Sequence, residues 1–252
     1  MHPILIEIGP LTIYSYGFFI ALAFVLGMGV AKREAAIYDL NPHLVPDLAF
    51  YLIISAILGA RLLYVLLDPA PFVANPLLIL QFWKGGLVFV GGVALAVGTA
   101  WFVLRWKQEP FWSWADAFAP AIAAGQFIGR VGCLMAGCCY GKPSSVPWAI
   151  TFTHPQSLAP LHIPLHPTQI YHSLAGLITC LILLGLRSRL PVPGQRFGLF
   201  LILYAGFRFV IEFFRGDFRG ELGSLSLTQV AALLVLLAGL GLLSWKQKRT
   251  HA

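Results

Sequence analysis

Seven apolar stretches divide the chain, at residues 13–31, 47–67, 86–104, 115–131, 168–186, 197–214 and 227–245. Each is about the 17–25 residues that an α-helix needs to cross the hydrocarbon core of a bilayer. No water satisfies a free amide there, so runs of this length read as membrane helices. Composition agrees: the chain is 58% hydrophobic and only 11% charged, with a mean hydropathy of +0.80, far from a soluble domain of this length. No internal repeat and no long polar linker interrupts the series. The expectation is an all-α integral membrane protein, one polytopic domain over 1–252, built as a seven-transmembrane-helix bundle with an outer-side loop at about 132–167. The fourth stretch is the least regular, because Asp116 and Arg130 lie within it and Pro120 should kink it. The N-terminus lacks the basic region of a cleaved secretory leader.

Basic residues give the orientation. Lys32, Arg33, Arg105, Lys107, Arg187, Arg189, Arg196, Lys246, Lys248 and Arg249 fall on one side of the series, and only Lys84, Lys142, Arg215 and Arg219 on the other. The positive-inside bias places the N-terminus outside and the C-terminus in the cytoplasm. The net charge of +7 is mostly this asymmetry and gives no reason to invoke nucleic acid. With that topology His154, His162, His166 and His172 gather at the outer side.

Two constellations carry chemistry. The first is Gly129-Arg130-Val131-Gly132-Cys133-Leu134-Met135-Ala136-Gly137-Cys138-Cys139-Tyr140-Gly141. An arginine at membrane depth costs about 2.5–3.5 kcal/mol on insertion scales, so it usually faces a polar cavity. The plain alternative is a helix end whose arginine snorkels to the interface. The second is Tyr204, Arg208, Glu212 and Arg215, whose spacing puts all four on one helical face. Arg208 and Glu212 could simply neutralise each other. Two arginines around one carboxylate, however, leave a net positive site suited to a phosphate. Arg61 would add to it if the helices converge, or serve a structural ion pair.

Here a resemblance becomes specific. Gly129-Arg130-Val131-Gly132, closing at Gly141, is similar to the signature of the prolipoprotein diacylglyceryl transferase family. Tyr16-Gly17, Gly59 to Tyr64, Trp83 to Phe89, His166 to Tyr171 and Tyr204 to Arg215 resemble further motifs of that family in the same order. The resemblance implies a multi-pass transferase of the bacterial inner membrane. It would move the diacylglyceryl group of phosphatidylglycerol to the lipobox cysteine thiol in the signal-peptide region of preprolipoproteins, releasing glycerol phosphate. The family's reaction needs no metal and no organic cofactor. On this reading Arg130, Arg208, Glu212 and Cys138 are catalytic, and Tyr16, Arg61, Cys133, Gly141, His166, Tyr204 and Arg215 bind substrate.

The chain also departs from the pattern. Val90 stands where the family has a histidine, Cys133 where it has an asparagine, Cys138 where it has a glutamate, and His172 where a glutamate usually follows. Thiols bind metals and undergo redox chemistry. Two alternatives therefore stay open: a family member with a different acceptor, or a membrane metal or thiol-redox protein that has lost the activity. The Cys133, Cys138, Cys139 spacing is a weak metal signal, since structural zinc sites favour cysteines two to four residues apart. Cys180 reads as a small packing residue in its helix.

Overall fold

The computed structural model describes residues 1–9, 11–217 and 220–248. Among them, eight α-helices account for most of the chain. Six are long and apolar enough to cross a membrane: α1 (Ser15–Ile37), α2 (Leu44–Leu67), α4 (Phe89–Trp106), α5 (Phe111–Ala136), α6 (Thr168–Gly185) and α8 (Leu227–Lys248). The sixth expected segment does form a helix, α7 (Gln195–Glu212), but Arg196, Arg208 and Glu212 make it too polar to qualify on hydropathy. The remaining helix, α3 (Ala70–Ala74), is short. Arg219 and Arg249, used above for orientation, lie outside the described residues.

The chain divides into two compact units. One spans Ala35–Trp114. In it α2 and α4 pack at glycine contacts: a Cβ on Gly59 would run into the Gly91 backbone and the reverse, and one on Gly92 would lie 2.8 Å from the Ala56 carbonyl. Arg61 is buried at this end of α2. Its guanidinium donates to the carbonyls of Leu78, Ile79, Gly85 and Gly86 and lies over the rings of Tyr64 and Phe72, at 5.5 and 5.2 Å. Backbone dipoles and ring faces here compensate a cation that the apolar surroundings would otherwise exclude.

The other unit comprises Met1–Glu34 and Ala115–Ala252. An antiparallel hairpin, β1 (Ile4–Ile8) with β2 (Leu11–Tyr14), leads into α1. Short pairs β3 (Ile150–Thr151) with β4 (Pro164–Leu165), and β5 (Glu221–Leu222) with β6 (Leu225–Ser226), tie the connections before α6 and α8. Ala119, Ala123, Cys180, Leu183 and Phe200 form a core between α5, α6 and α7, which gives Cys180 the expected packing role. Small residues bring the helices close: Gly176 leaves room for the Ala123 carbonyl, and Gly198 and Gly239 face each other between α7 and α8.

Several charges have structural partners. Asp116, only 1% exposed, accepts from the backbone N–H of Gly194 and of Phe197, each at 2.7 Å, and so caps the N-terminus of α7. Glu34 pairs with Arg187 and, at 2.8 Å, with Arg196, and both Glu34 and Arg196 are fully buried. Those two arginines thus neutralise a carboxylate as well as adding to the basic side of the chain.

Candidate functional site

The helix α5 carries Arg130 and, almost one turn later, Cys133. The helix runs on to Ala136, so Cys133 sits on its last turn and not in the loop expected from residue 132. It ends there because Gly137 takes a left-handed φ of 78°, the turn that terminates many helices. Cys139 follows with φ 58°, a conformation that non-glycine residues seldom hold. The loop is then stitched in place. Gln169 Nε2 donates to the Cys138 carbonyl at 2.8 Å and Thr168 Oγ1 to the Cys139 carbonyl at 2.7 Å. On its other side the Lys142 N–H donates to the Phe214 carbonyl at 2.8 Å, and the Gly216 N–H to that of Tyr140 at 3.1 Å. Gly141 lies in this seam, where a Cβ would come within 2.8 Å of the Phe214 carbonyl and 2.6 Å of His166 Cβ. Only glycine allows that approach.

Arg208 and Glu212 pair across one turn of α7 as their spacing predicts. Arg215 is not on that helical face: α7 ends at Glu212, and Arg215 reaches the carboxylate from an isolated β-bridge with Gly141. Arg208 Nη1 is 2.7 Å from Glu212 Oε2, and Arg215 Nε is 3.9 Å from the same oxygen. Ser226 Oγ donates to Glu212 Oε1 at 3.0 Å. Arg208 Nη1 also lies 3.2 Å from His172 Nε2, so that nitrogen is the acceptor. Arg215 forks onto Asp217 with bonds of 2.8 and 2.6 Å and keeps a third nitrogen, Nη1, buried with no hydrogen-bond partner. The same guanidinium also meets the Cys139 thiol.

Arg130 differs from these. It is half-buried, and among the described residues it forms neither an ion pair nor a hydrogen bond. Its charge, with those of Arg208 and Arg215, reaches the buried ring of His172. Arg130 and the thiols of Cys133, Cys138 and Cys139 also lie within electrostatic reach of the Tyr16 hydroxyl. Tyr16 and Cys138 line one cavity of about 670 Å³ together with Pro3, Tyr14, Gly17, Ala136, Gln156 and Leu158. Four positions from the N-terminal segment and two from the Gly129–Gly141 stretch thus meet in space.

None of the four cysteines is in a disulfide. The Sγ atoms of Cys133, Cys138 and Cys139 all lie within 4.8 Å of one another. Such a trio shares its protons unequally. Hydrogen bonds from Cys133 and Cys138, with the Arg215 guanidinium nearby, hold the Cys139 thiol well below the ordinary range. Hydrogen bonding with Cys133 and Cys139, together with burial, pushes Cys138 up.

Other expected residues are placed differently. His166 Nδ1 is 3.1 Å from the Tyr171 hydroxyl, and its ring packs edge-on to Phe214. Tyr204 stacks on Phe200, with ring centres 6.0 Å apart, at the edge of the core. Arg61 and Val90 belong to the Ala35–Trp114 unit, where Val90 is 65% exposed at the start of α4. Thr168 and Gln169 stand out in the sequence only as members of the His166–Tyr171 motif, His172 only as an outer-side histidine that departs from a motif, and Asp217 not at all. One signal existed for most of them: Thr168, Gln169, His172 and Ser173 form a polar face on an otherwise apolar helix.

Comparisons with known proteins bear on this arrangement. A family model described as prolipoprotein diacylglyceryl transferase matches residues 3–245. The phosphatidylglycerol–prolipoprotein diacylglyceryl transferase of Clostridium tetani is 34% identical over 240 residues, which cover 95% of this chain and 96% of that protein. The enzyme of the same name from Pseudomonas fluorescens is 35% identical over 99% of this chain and 94% of its own. That of Synechococcus elongatus is 38% identical over 96% and 86% respectively.

Proposed function

The chain belongs to the prolipoprotein diacylglyceryl transferase family, and on that premise we propose that its phosphatidylglycerol headgroup is held by Arg130 beside the Arg208–Glu212–Arg215 network. It is a multi-pass membrane transferase that moves a diacylglyceryl group from phosphatidylglycerol to a prolipoprotein. The acceptor is the lipobox thiol in the signal-peptide region, and the leaving group is glycerol phosphate. The reading has seven crossings with α7 among them, an N-terminus outside in accord with the charge pattern, and a bacterial inner membrane in accord with the family.

The chemistry asks for positive charge at one place. A thiolate attacks the glyceryl carbon, a C–S bond forms, and the C–O bond to phosphate breaks. The departing phosphate gains negative charge as that bond lengthens. A guanidinium fixed beside it stabilises the transition state more than the bound lipid, which is the condition for catalysis. Arg130 fits that role because no carboxylate of the described residues neutralises it, and this one observation carries the reading. Arg215 adds a second buried guanidinium, already engaged by Asp217 and the Cys139 thiol. Glu212 acts as a positioning residue, holding Arg208 and Arg215 from one oxygen. Cys138 shares the cavity wall with Tyr16, and on this reading it lines the path of the acceptor segment. The Cys133 sulfur lies within 4.8 Å of that of Cys138, Gly141 and His166 meet in the seam with the end of α7, Tyr204 stacks at the edge of the core, and Arg61 supports the turn that contains Gly85 and Gly86.

The test is transfer from labelled phosphatidylglycerol to a lipobox peptide, with lipid binding measured separately. A charge-assisted contact is worth about 1.5–3 kcal/mol, so Arg130→Ala should weaken lipid binding about tenfold to a hundredfold. Arg130→Lys should restore part of it, since an ammonium cannot fork onto two phosphate oxygens. Unchanged binding in Arg130→Ala would remove the phosphate role.

A further inference from the structure

The transfer reaction calls on Cys138 at the cavity wall but gives no reason for three thiols to cluster at the end of α5. Cys133 projects from the last helical turn, and Cys138 and Cys139 return to it after the left-handed turn at Gly137. The resulting sulfur trio lies within 4.8 Å, atom to atom. Metal–thiolate bonds of about 2.3 Å set sulfurs roughly 3.8–4.0 Å apart in tetrahedral or trigonal sites. Closing the trio onto an ion therefore asks each sulfur to move by about 1 Å or less, within the reach of a small χ1 adjustment.

The backbone is already committed to this shape. Cys139 holds φ 58°, which a β-carbon normally resists. Thr168 and Gln169, both fully buried on α6, fix the carbonyls of Cys139 and Cys138 and leave both side chains on the same side as Cys133. Strained backbone kept in place by buried side-chain bonds marks a site where geometry matters. Charge is compatible as well. Three thiolates with one divalent ion carry a net −1, and the guanidinium groups of Arg130 and Arg215 lie close enough to offset it. The sulfurs are half-buried, so an ion can reach them, and the wall that holds Cys138 faces the 670 Å³ cavity.

We propose that Cys133, Cys138 and Cys139 form a binding site for one thiophilic d10 cation of the zinc or copper(I) class, held by three thiolates with its fourth position open to the cavity. Thiolates select such ions over calcium and magnesium. Three protein ligands with an open fourth position is the arrangement that leaves a bound ion able to accept a further ligand.

Cobalt(II) is the probe. Reduced, chelator-washed full-length protein in detergent is titrated with it, and sulfur-to-cobalt charge-transfer bands are followed in the near ultraviolet, with tetrahedral bands in the visible. The expected result is saturation at one ion per chain and displacement of the bands by zinc. Cys133→Ser and Cys139→Ser should each weaken cobalt binding at least about tenfold, whereas Cys180→Ser, in the core between α5 and α6, should leave it unchanged. The thermal midpoint of each metal-free variant shows that the fold is intact. Absence of thiolate bands in the parent protein, or bands of equal affinity in Cys133→Ser and Cys139→Ser, would overturn the site. Because the readout is spectroscopic, it stands apart from the transfer assay: thiolate bands without Arg130-dependent lipid binding would sink the phosphate reading alone, and Arg130-dependent lipid binding without thiolate bands would sink the metal site alone.

Discussion

Glu212→Gln removes one negative charge while keeping the shape of the side chain, and it separates positioning from packing. The carboxylate is only 6% exposed, with Arg208 at 2.7 Å and Arg215 at 3.9 Å from one of its oxygens. At an effective dielectric near 20, pairs at those distances attract by roughly 6 and 4 kcal/mol, much of which desolvation offsets. Breaking a buried pair from one side typically costs about 3–5 kcal/mol. The lower end applies here. The amide oxygen can still accept from Ser226, Arg208 keeps His172, and Arg215 keeps its fork on Asp217. A loss of about 3 kcal/mol lowers the midpoint of a protein this size by about 6–12 °C. Freed from their shared oxygen, the two guanidinium groups relax away from the geometry that serves the leaving phosphate. Turnover should fall at least about tenfold while lipid binding changes by less than about threefold. The measurements are thermal unfolding in detergent, lipid affinity and single-turnover transfer on the same preparation. A lower midpoint with turnover per folded molecule intact would leave Glu212 as a structural partner only, and an unchanged midpoint would refute the pairing itself.

Other consequences can be checked in the same system. Gly141→Ala should displace the seam between the loop and the end of α7 and abolish most transfer, because its Cβ would press on Phe214 and His166; normal activity would show that the seam yields. Asp116→Ala should lower the unfolding free energy by about 2–4 kcal/mol, since two backbone N–H groups at the start of α7 lose a charged acceptor, and a change under about 0.5 kcal/mol would contradict the cap. Alkylation of chelator-washed protein, mapped by mass spectrometry, should find Cys139 reactive at mildly acid pH. A depressed pKa leaves the thiolate present above that pKa, so the Cys139 rate should fall less between pH 8 and 6 than that of an ordinary thiol. An ordinary thiol would slow about tenfold per unit below its pKa, and such a slope at Cys139 would count against the shared-proton arrangement.

Much of this protein was legible in its sequence because the bilayer permits so few structures. Long apolar runs could only be helices, and six of those helices have the expected length and hydropathy. The one that falls short, α7, does so through Arg196, Arg208 and Glu212, two of which had already marked it as a functional face. Helical periodicity also placed Arg208 and Glu212 together, since residues four apart on a helix share a face regardless of what surrounds them, whereas Arg215 joins them from beyond the end of α7, held by its bridge to Gly141. What the sequence did not determine was every relation between segments. Arg61, Arg196 and Arg130 look alike as single arginines in or beside apolar runs. Folding gives Arg61 four carbonyls, gives Arg196 the buried Glu34, and leaves Arg130 without either kind of partner among the described residues. Likewise the spacing of Cys133, Cys138 and Cys139 is a weak signal, and only the left-handed turn at Gly137 and the hydrogen bonds from α6 bring their sulfurs together. The physical reason is the same in each case. Local pattern fixes which face a side chain occupies, but the free energy of a charge or a thiol depends on the groups that other segments place within a few ångströms, and those are chosen by tertiary packing.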